Sequence, residues 1–447
     1  MSLLLGVDLG TSYFKVGLFA ADGALRGLGR VRVVTESPAP GRVELPVPDF
    51  WALLRRGLEE ALAQAGATAR DIAGVSYSSQ ASTFLLLDAH DRPLTPFIVW
   101  TDTRGAPIEP AVAAFAQRDD FAQAIGHRGF VAESAVPKFR WFQRQEPALW
   151  QRAARVQTMA DYFTFALTGE RAGDASTGAF LGLYHLAEHR WWPAALAAFG
   201  LDGARFSTPL RPGSPCGRTV AAAESLLGLP AGVPFAVGAI DHHAAAIGSG
   251  LGELADLSIS TGTVLAALAV VERVSAVPDC YHGPHVDGRR FYRLAFDPRG
   301  AGQLEELQRR RAPERTIEQL LELAANVPAG GGDPAAADPG VAVRGLLERV
   351  AFTHRELVRV TTGGRAPARI IATGGGARSP LWLQIEADVL DACIVRPASP
   401  ERACLGAAAF AAVAAGWHES VGAATAALVH PDREFAPDPA AVAAYRR

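Results

Sequence analysis

The chain of 447 residues sets 46 acidic against 43 basic side chains, for a net charge of −3, and is 49% hydrophobic and 20% charged. That balance excludes a basic nucleic-acid platform and a polybasic membrane surface, and the apolar fraction excludes a disordered acidic chain. At roughly 150–200 residues per domain, two or three domains are expected.

In chain order, Leu3 to Val7 reads as a buried strand and Phe14 to Phe19 as a second. Ala21-Asp22-Gly23 turns into a third, Arg30 to Val34. A helix follows with Asp49 as N-cap and Trp51, Leu54, Leu58 and Leu62 on one face. Strands at Ile72 to Tyr77 and Phe84 to Leu87 come next, before a polar turn from Asp88 to Pro93. The segment from Ala111 to Ala198 reads mostly helical. Pro/Gly clusters at 209–217 and 228–234 lead into an apolar strand, Phe235 to Ala239, just before Asp241. Pro328 to Pro339 has the composition of a mobile loop. A strand at Arg369 to Ala372, a glycine triplet, a helix at Leu381 to Leu390 and an alanine-rich helix at Leu405 to Ala415 complete the pattern. This mixture predicts an α/β architecture in two halves, residues 1–235 and 236–430, with 431–447 as a C-terminal tail.

The longest apolar run, Cys404 to Trp417, falls short of the ~20 residues of a spanning helix. Residues 1–6 lack the basic start of a secretory signal, and four cysteines in so long a chain make no disulfide framework. A soluble, cytoplasmic protein is expected, with neither nucleic acid nor membrane as partner.

Four short motifs carry chemistry. Asp8-Leu9-Gly10-Thr11-Ser12 follows the first strand and precedes Lys15. Gly10 lets a phosphate approach the backbone, Thr11 and Ser12 offer hydroxyl and amide donors, and Asp8 can hold a hydrated Mg2+. The same residues also suit an ordinary hairpin turn. Asp241, at a strand end before His242-His243, is either a helix N-cap or a general base facing an interdomain cleft. Ser260-Thr261-Gly262-Thr263 is a second hydroxyl-bearing turn, faintly echoing the first. Thr373-Gly374-Gly375-Gly376-Ala377-Arg378-Ser379 opens a helix where a base and ribose could lie against the backbone. No Gly-x4-Gly-Lys-Ser/Thr sequence exists. Cys280-Tyr281-His282-Gly283-Pro284-His285 reads as a surface loop rather than a metal site.

The order of these motifs resembles the FGGY carbohydrate kinase family. Ser79-Gln80-Ala81-Ser82 and Ile98-Val99-Trp100-Thr101-Asp102-Thr103-Arg104 resemble its sugar-side segment. Pro137-Lys138-Phe139-Arg140-Trp141 is similar to its helical insertion, and Gly374 to Trp382 with Leu405-Gly406-Ala407-Ala408 to its adenosine side. The resemblance implies two actin-like (ribonuclease-H-like) ATPase domains around a central cleft. It also implies an ATP- and Mg2+-dependent sugar kinase, acting on a ketopentose or related polyol with xylulose as the leading substrate, and allows a homodimer. Carried over, Asp241 is the catalytic base and Asp8 the Mg2+-associated acid. Gly10, Thr11, Ser12, Lys15, Thr261, Gly262, Gly375, Gly376 and Arg378 fall on the ATP side. Gln80, Ala81, Ser82, Trp100, Asp102 and His242 fall on the sugar side.

Three departures stand out. Ala81-Ser82 replaces the Met-His of xylulose-type members, and His242 follows the base where Asn or Gln is usual. No Leu-Pro-Tyr…Gly-Glu-Arg stretch occurs between Gly300 and Leu346, so the second half looks trimmed. Alternatives are a same-family kinase for ribulose, a hexulose, erythritol, glycerol or a sugar acid, and a weakened sugar- or nucleotide-binding regulator.

Overall fold

Every residue of Leu3–Leu9 is buried, and the following Tyr13–Phe19 is buried at most positions, so this hairpin forms the centre of a sheet rather than its edge. The structure, a computed structural model, describes residues 2–446 except Thr263, Ala276, Pro278 and Ala301. Thr263, expected in the second hydroxyl-bearing turn, thus lies outside the described residues.

The first sheet runs Pro215–Arg218, Pro234–Ala236, Ile72–Ser79, Leu3–Leu9, Tyr13–Phe19, Leu25–Arg32, with Ala239–Ile240 also pairing Ile72–Ser79. The second runs Cys280–Pro284, Phe291–Asp297, Leu265–Val271, Leu257–Thr261, Arg369–Gly374, Cys393–Pro397, Pro431–Phe435. The two share one wiring. A central strand, Leu3–Leu9 or Leu257–Thr261, pairs antiparallel with its successor, which pairs antiparallel with a third. On its other side the central strand pairs parallel with a later strand, Ile72–Ser79 or Arg369–Gly374. The faint echo between the two hydroxyl-bearing turns therefore corresponds to equivalent positions in two similar sheets.

Helix Val47–Ala65 buries Phe50, Trp51, Leu54 and Leu58 against the first sheet. Helix Arg402–Ala414 covers the other face and is buried almost all round. Its alanines let it lie close: a Cβ on Gly406 would overlap the carbonyl oxygen of Ala244 in helix Asp241–Ile247. Helix Pro339–Thr362 packs on the second sheet, burying Val343, Leu346, Leu347 and Val350. Each such fully buried leucine or valine contributes about 1.5–3 kcal/mol.

Several expectations shift. The third strand is Leu25–Arg32 rather than Arg30–Val34, because the strand starts directly after the Gly23 turn and Val34 is left exposed. The first helix begins at Val47, with Pro46 as cap and Asp49 inside the first turn, since Pro48 is already set for a helix N-terminus. The 111–198 segment holds short helices, but also short strands such as Arg155–Thr158 and Ala172–Asp174. Phe235 to Ala239 splits into Pro234–Ala236 and Ala239–Ile240. Cys280–Pro284 is an edge strand, not a surface loop; Pro284 ends it, where a missing N–H is tolerated. The 328–339 loop is pinned: the Gly330 amide donates to Glu348 Oε1 at 3.0 Å, and Asp333 N to the Val341 carbonyl at 3.1 Å. Residues 431–446 add a strand and the helix Pro439–Tyr445 to the second half, with Tyr445 Oη donating to Glu348 at 2.8 Å.

Candidate active site

Strand register gathers the key residues. Asp8 lies opposite Ser78 and Leu9 opposite Ser79, while Ala239 and Ile240 lie opposite the same two serines from the far side. Gln80 and Asp241 are thus the first residues beyond two neighbouring parallel strands, next to the Gly10-Thr11-Ser12 turn. Carboxyl ends of parallel strands are where open α/β sheets bind ligands.

Asp241 opens its helix, but Ile240 is the cap residue, so Asp241 is not the N-cap. Its Oδ1 accepts its neighbour His242 N at 2.7 Å, and the side chain lines a cavity of about 320 Å³. Gln80, Ala81, Ser82, Trp100, His242 and Thr11 line the same cavity. A polar ring ties Gln80, Trp100 and Thr11 together. Gln80 Nε2 donates to the Gly10 carbonyl at 3.2 Å, and Gln80 Oε1 accepts from Thr83 Oγ1 at 2.9 Å. Thr83 Oγ1 accepts Trp100 N at 2.9 Å, and Trp100 Nε1 donates to Thr11 Oγ1 at 2.8 Å. Lys138, wholly buried, donates to the carbonyls of Val99 and Trp100 at 3.1 and 2.9 Å; burial pushes its pKa down to about 7.

Asp102 stands apart. It is fully buried, accepts Val43 N at 2.7 Å and Arg104 Nη2 at 2.7 Å, and lies off the cavity wall.

Asp8 is buried, with Oδ1 accepting Ser78 Oγ at 3.0 Å and Oδ2 3.7 Å from Lys15 Nζ. Burial pushes its pKa up to about 6; Lys15 opposes this and the Asp241 charge adds to it. A desolvated carboxylate beside a second one, with so few donors, is the chemistry of a divalent-cation ligand. Lys15 also pairs with Glu401 at 3.1 Å.

Beyond Lys15 opens a second cavity of about 570 Å³, lined by Gly375, Arg378 and Ser260. Arg30, Arg396 and Arg402 line it too, three cations sequence reasoning missed because no motif marks them. Arg402 Nε is buried without a partner, which suits a polyphosphate. Gly376 is buried under Thr261 and Trp382 rather than on this wall. Gly374 holds φ +87° and presses on the Thr261 backbone. Thr261 is buried; a Cβ on Gly262 would make only ordinary contacts, 3.6 Å from Ser260 Oγ and from the Val264 carbonyl, and Ser12 is exposed, its carbonyl accepting Val33 N at 3.0 Å. Behind this turn, His354 Nε2 reaches the Ser260 carbonyl at 3.3 Å while Nδ1 meets Glu386 Oε1 at 2.7 Å.

His243 turns away from the cavity: its Nε2 lies 3.0 Å from His285 Nδ1, and both rings are pushed down in pKa by burial. Among the described residues no group of three or more His, Cys, Asp or Glu could hold a metal ion, all four cysteines are free, and no helix is long and apolar enough to cross a membrane.

Known proteins match this chain. The N-terminal domain of the FGGY family of carbohydrate kinases matches residues 3–248, and its C-terminal domain residues 313–415. The L-xylulose/3-keto-L-gulonate kinase of Escherichia coli (strain K12) is 26% identical, with 99% of this chain and 94% of that protein covered. The xylulose kinase of Bacillus subtilis (strain 168) is 25% identical over 94% of this chain and 90% of its own. The crystal structure of xylulose kinase from Rhodospirillum rubrum superposes with a TM-score of 0.88 at 28% identity, covering 100% of this chain and 96% of that one. The fold is accordingly the two-domain, actin-like (ribonuclease-H-like) ATPase fold of sugar kinases. Matched in both halves, the chain belongs to the FGGY family of carbohydrate kinases.

Proposed function

We propose that this carbohydrate kinase transfers the γ-phosphate of ATP to a hydroxyl of a ketopentose or related polyol, with xylulose first in line, and that Asp241 is the general base. The observation that carries the reading is that Asp8 links two cavities: Asp241, whose charge acts on Asp8, lines one with aromatic and polar groups, and Lys15, 3.7 Å from Asp8, lines the other with four arginines. We take the two halves to meet between residues 235 and 241, so that the base stands where the halves face one another. An enzyme spending ATP fits a cytoplasmic setting.

Asp241 accepts the proton of the acceptor hydroxyl as that oxygen attacks phosphorus. Gln80, Ser82 and His242 orient the polyol, and Thr11 carries the polar ring of the sugar wall to the phosphate turn. Arg378, Arg402 and Lys15 balance phosphate charge. Asp8 would hold Mg2+, which neutralises phosphate oxygens when bound. Positioning and charge balance supply most of phosphoryl transfer, and a placed base adds about 10²–10⁴-fold.

The test is ADP release with Mg-ATP across ketopentoses, hexuloses, pentitols, glycerol, erythritol and sugar acids, with Asp241→Asn beside the wild type. Sugar-dependent turnover that falls at least ~10²-fold in the variant, while ATP and sugar still bind, is expected. Near-normal turnover in Asp241→Asn removes it from the base role.

A further inference from the structure

The wall of the 320 Å³ cavity facing Asp241 has a chemistry that no motif announced. Glu133 lines it, giving the cavity a second carboxylate besides Asp241, while no lysine or arginine is among its lining residues. Phe180, Tyr281 and Phe296 form a continuous stack along one side: Phe180 and Tyr281 are 5.6 Å apart at 11°, Tyr281 and Phe296 5.5 Å apart at 17°. Phe180 comes from the first half of the chain and the other two from the second sheet, so the stack spans both halves. Phe296 remains 43% exposed despite its stack on Tyr281.

A ligand here meets two negative charges and a flat apolar wall. A sugar acid would bring a third carboxylate into a partly desolvated space with no cation to receive it, and like charges a few ångströms apart repel strongly there. A neutral ketose or polyol presents hydroxyls to Gln80, Ser82 and Asp241 and its C–H face to the aromatic stack. We infer that the acceptor of this kinase is an uncharged ketose or polyol, with Glu133 excluding sugar acids and the Phe180–Tyr281–Phe296 stack holding the carbon face. The inference rests on the phosphoryl-transfer reading above and narrows it. His127, on the same wall, adds no positive charge near neutrality, since burial pushes its pKa down to about 4.

The experiment compares kcat/KM for neutral acceptors (xylulose, ribulose) with that for acids (3-keto-L-gulonate, gluconate) in wild type, Glu133→Gln and Phe296→Ala. In wild type the best neutral compound should exceed the best acid by on the order of 100-fold. Glu133→Gln should raise the acid-to-neutral ratio about 10-fold, and Phe296→Ala should raise KM for the neutral sugar more than it lowers kcat. A wild-type preference for an acid, or a ratio unmoved by Glu133→Gln, overturns the inference and leaves the kinase reading standing. Absence of acceptor-dependent ADP release with every compound, in protein that melts cooperatively and binds ATP, removes both.

Discussion

Replacing His354 by alanine should weaken the protein and loosen its grip on ATP, through a pair that touches neither substrate. His354 and Glu386 are both wholly buried, with Nδ1 2.7 Å from Oε1, and Glu386 Oε2 has no hydrogen-bond partner. Burial alone would lower the His354 pKa, but the Glu386 charge and hydrogen bond, with the Ser260 carbonyl, outweigh it and raise the value. Removing the imidazole strands a buried carboxylate, which costs about 3–5 kcal/mol. For a folding unit of ~200 residues, 1 kcal/mol moves Tm by about 2–4 °C, so His354→Ala should lower the second half's transition by roughly 6–20 °C. The double variant H354L/E386M buries no charge and should recover most of that loss. It cannot restore the donor to the Ser260 carbonyl, so its KM for ATP should stay raised while its Tm returns. The sign with pH follows from the raised pKa: the stabilisation is fully present below the unfolded value of about 6.5 and is lost as pH rises through the higher folded value. The wild-type advantage over the double variant should therefore shrink on the alkaline side. Calorimetry and ATP saturation curves read all three quantities. A loss below about 2 °C in His354→Ala, or a double variant no more stable than the single, would refute the reasoning.

Two further outcomes are expected. Gly374→Ala should lower Tm and raise KM for ATP at least ~10-fold, because Gly374 holds φ +87° and its Cβ would strike the Thr261 backbone; Gly375→Ala, at φ −63° with open space around it, should melt like wild type. Lys138→Met should remove the ammonium donor from the Val99 and Trp100 carbonyls, leaving Val99 with the Asp102 amide, and raise the sugar KM more than it lowers kcat. Since the Lys138 pKa is pushed down to about 7, its contribution is lost as pH falls through that value and grows from 7 toward 10, so urea denaturation should show the variant losing ground to wild type over that range.

The residues legible in the sequence were those whose local pattern and chemistry coincide. Asp8 comes directly after the apolar run Leu3 to Val7, and Asp241 after Gly-Ala-Ile, so strand and candidate site stand together in the sequence. The Leu25–Arg32 strand was partly hidden because Gly27 and Gly29 dilute its apolar pattern where the Val47–Ala65 helix lies on top. Asp102 looks like a sugar ligand by its place beside Trp100, yet its oxygens are taken up by Arg104, two residues on, and by the distant Val43 amide, which no spacing reveals. Glu133 and Arg402 lie in segments without motif character, and Tyr281 lies in a Cys/His-containing stretch that reads as a loop; all three reach the cavities through tertiary packing. The Cys280–Pro284 strand shows the converse, where Gly283-Pro284 reads as a loop although the strand is an edge and tolerates a terminal proline.

The repeated wiring explains why phosphate and acceptor would meet where they do. Each sheet ends its central strand in a tight turn of small residues, after Leu9 in one and after Thr261 in the other, and each turn sits beside the end of a parallel neighbour. In the first sheet that neighbour delivers Gln80, and the next strand delivers Asp241; in the second sheet it delivers Gly374 and the nucleotide-side glycines. On the proposed reading, the same topological position serves the acceptor in one half and the nucleotide in the other. The helix bearing Asp241 is held against Arg402–Ala414 at Gly248 and Gly406, where a Cβ on either glycine would overlap the backbone of the opposite helix. That second helix begins with Arg402 on the nucleotide wall and lies along Leu3–Leu9, the strand that carries Asp8. The smallness of Gly248 and Gly406 therefore matters to the proposed site: a side chain at either would push Asp241, Asp8 and Arg402 apart together, and rates of phosphoryl transfer fall steeply with such displacements.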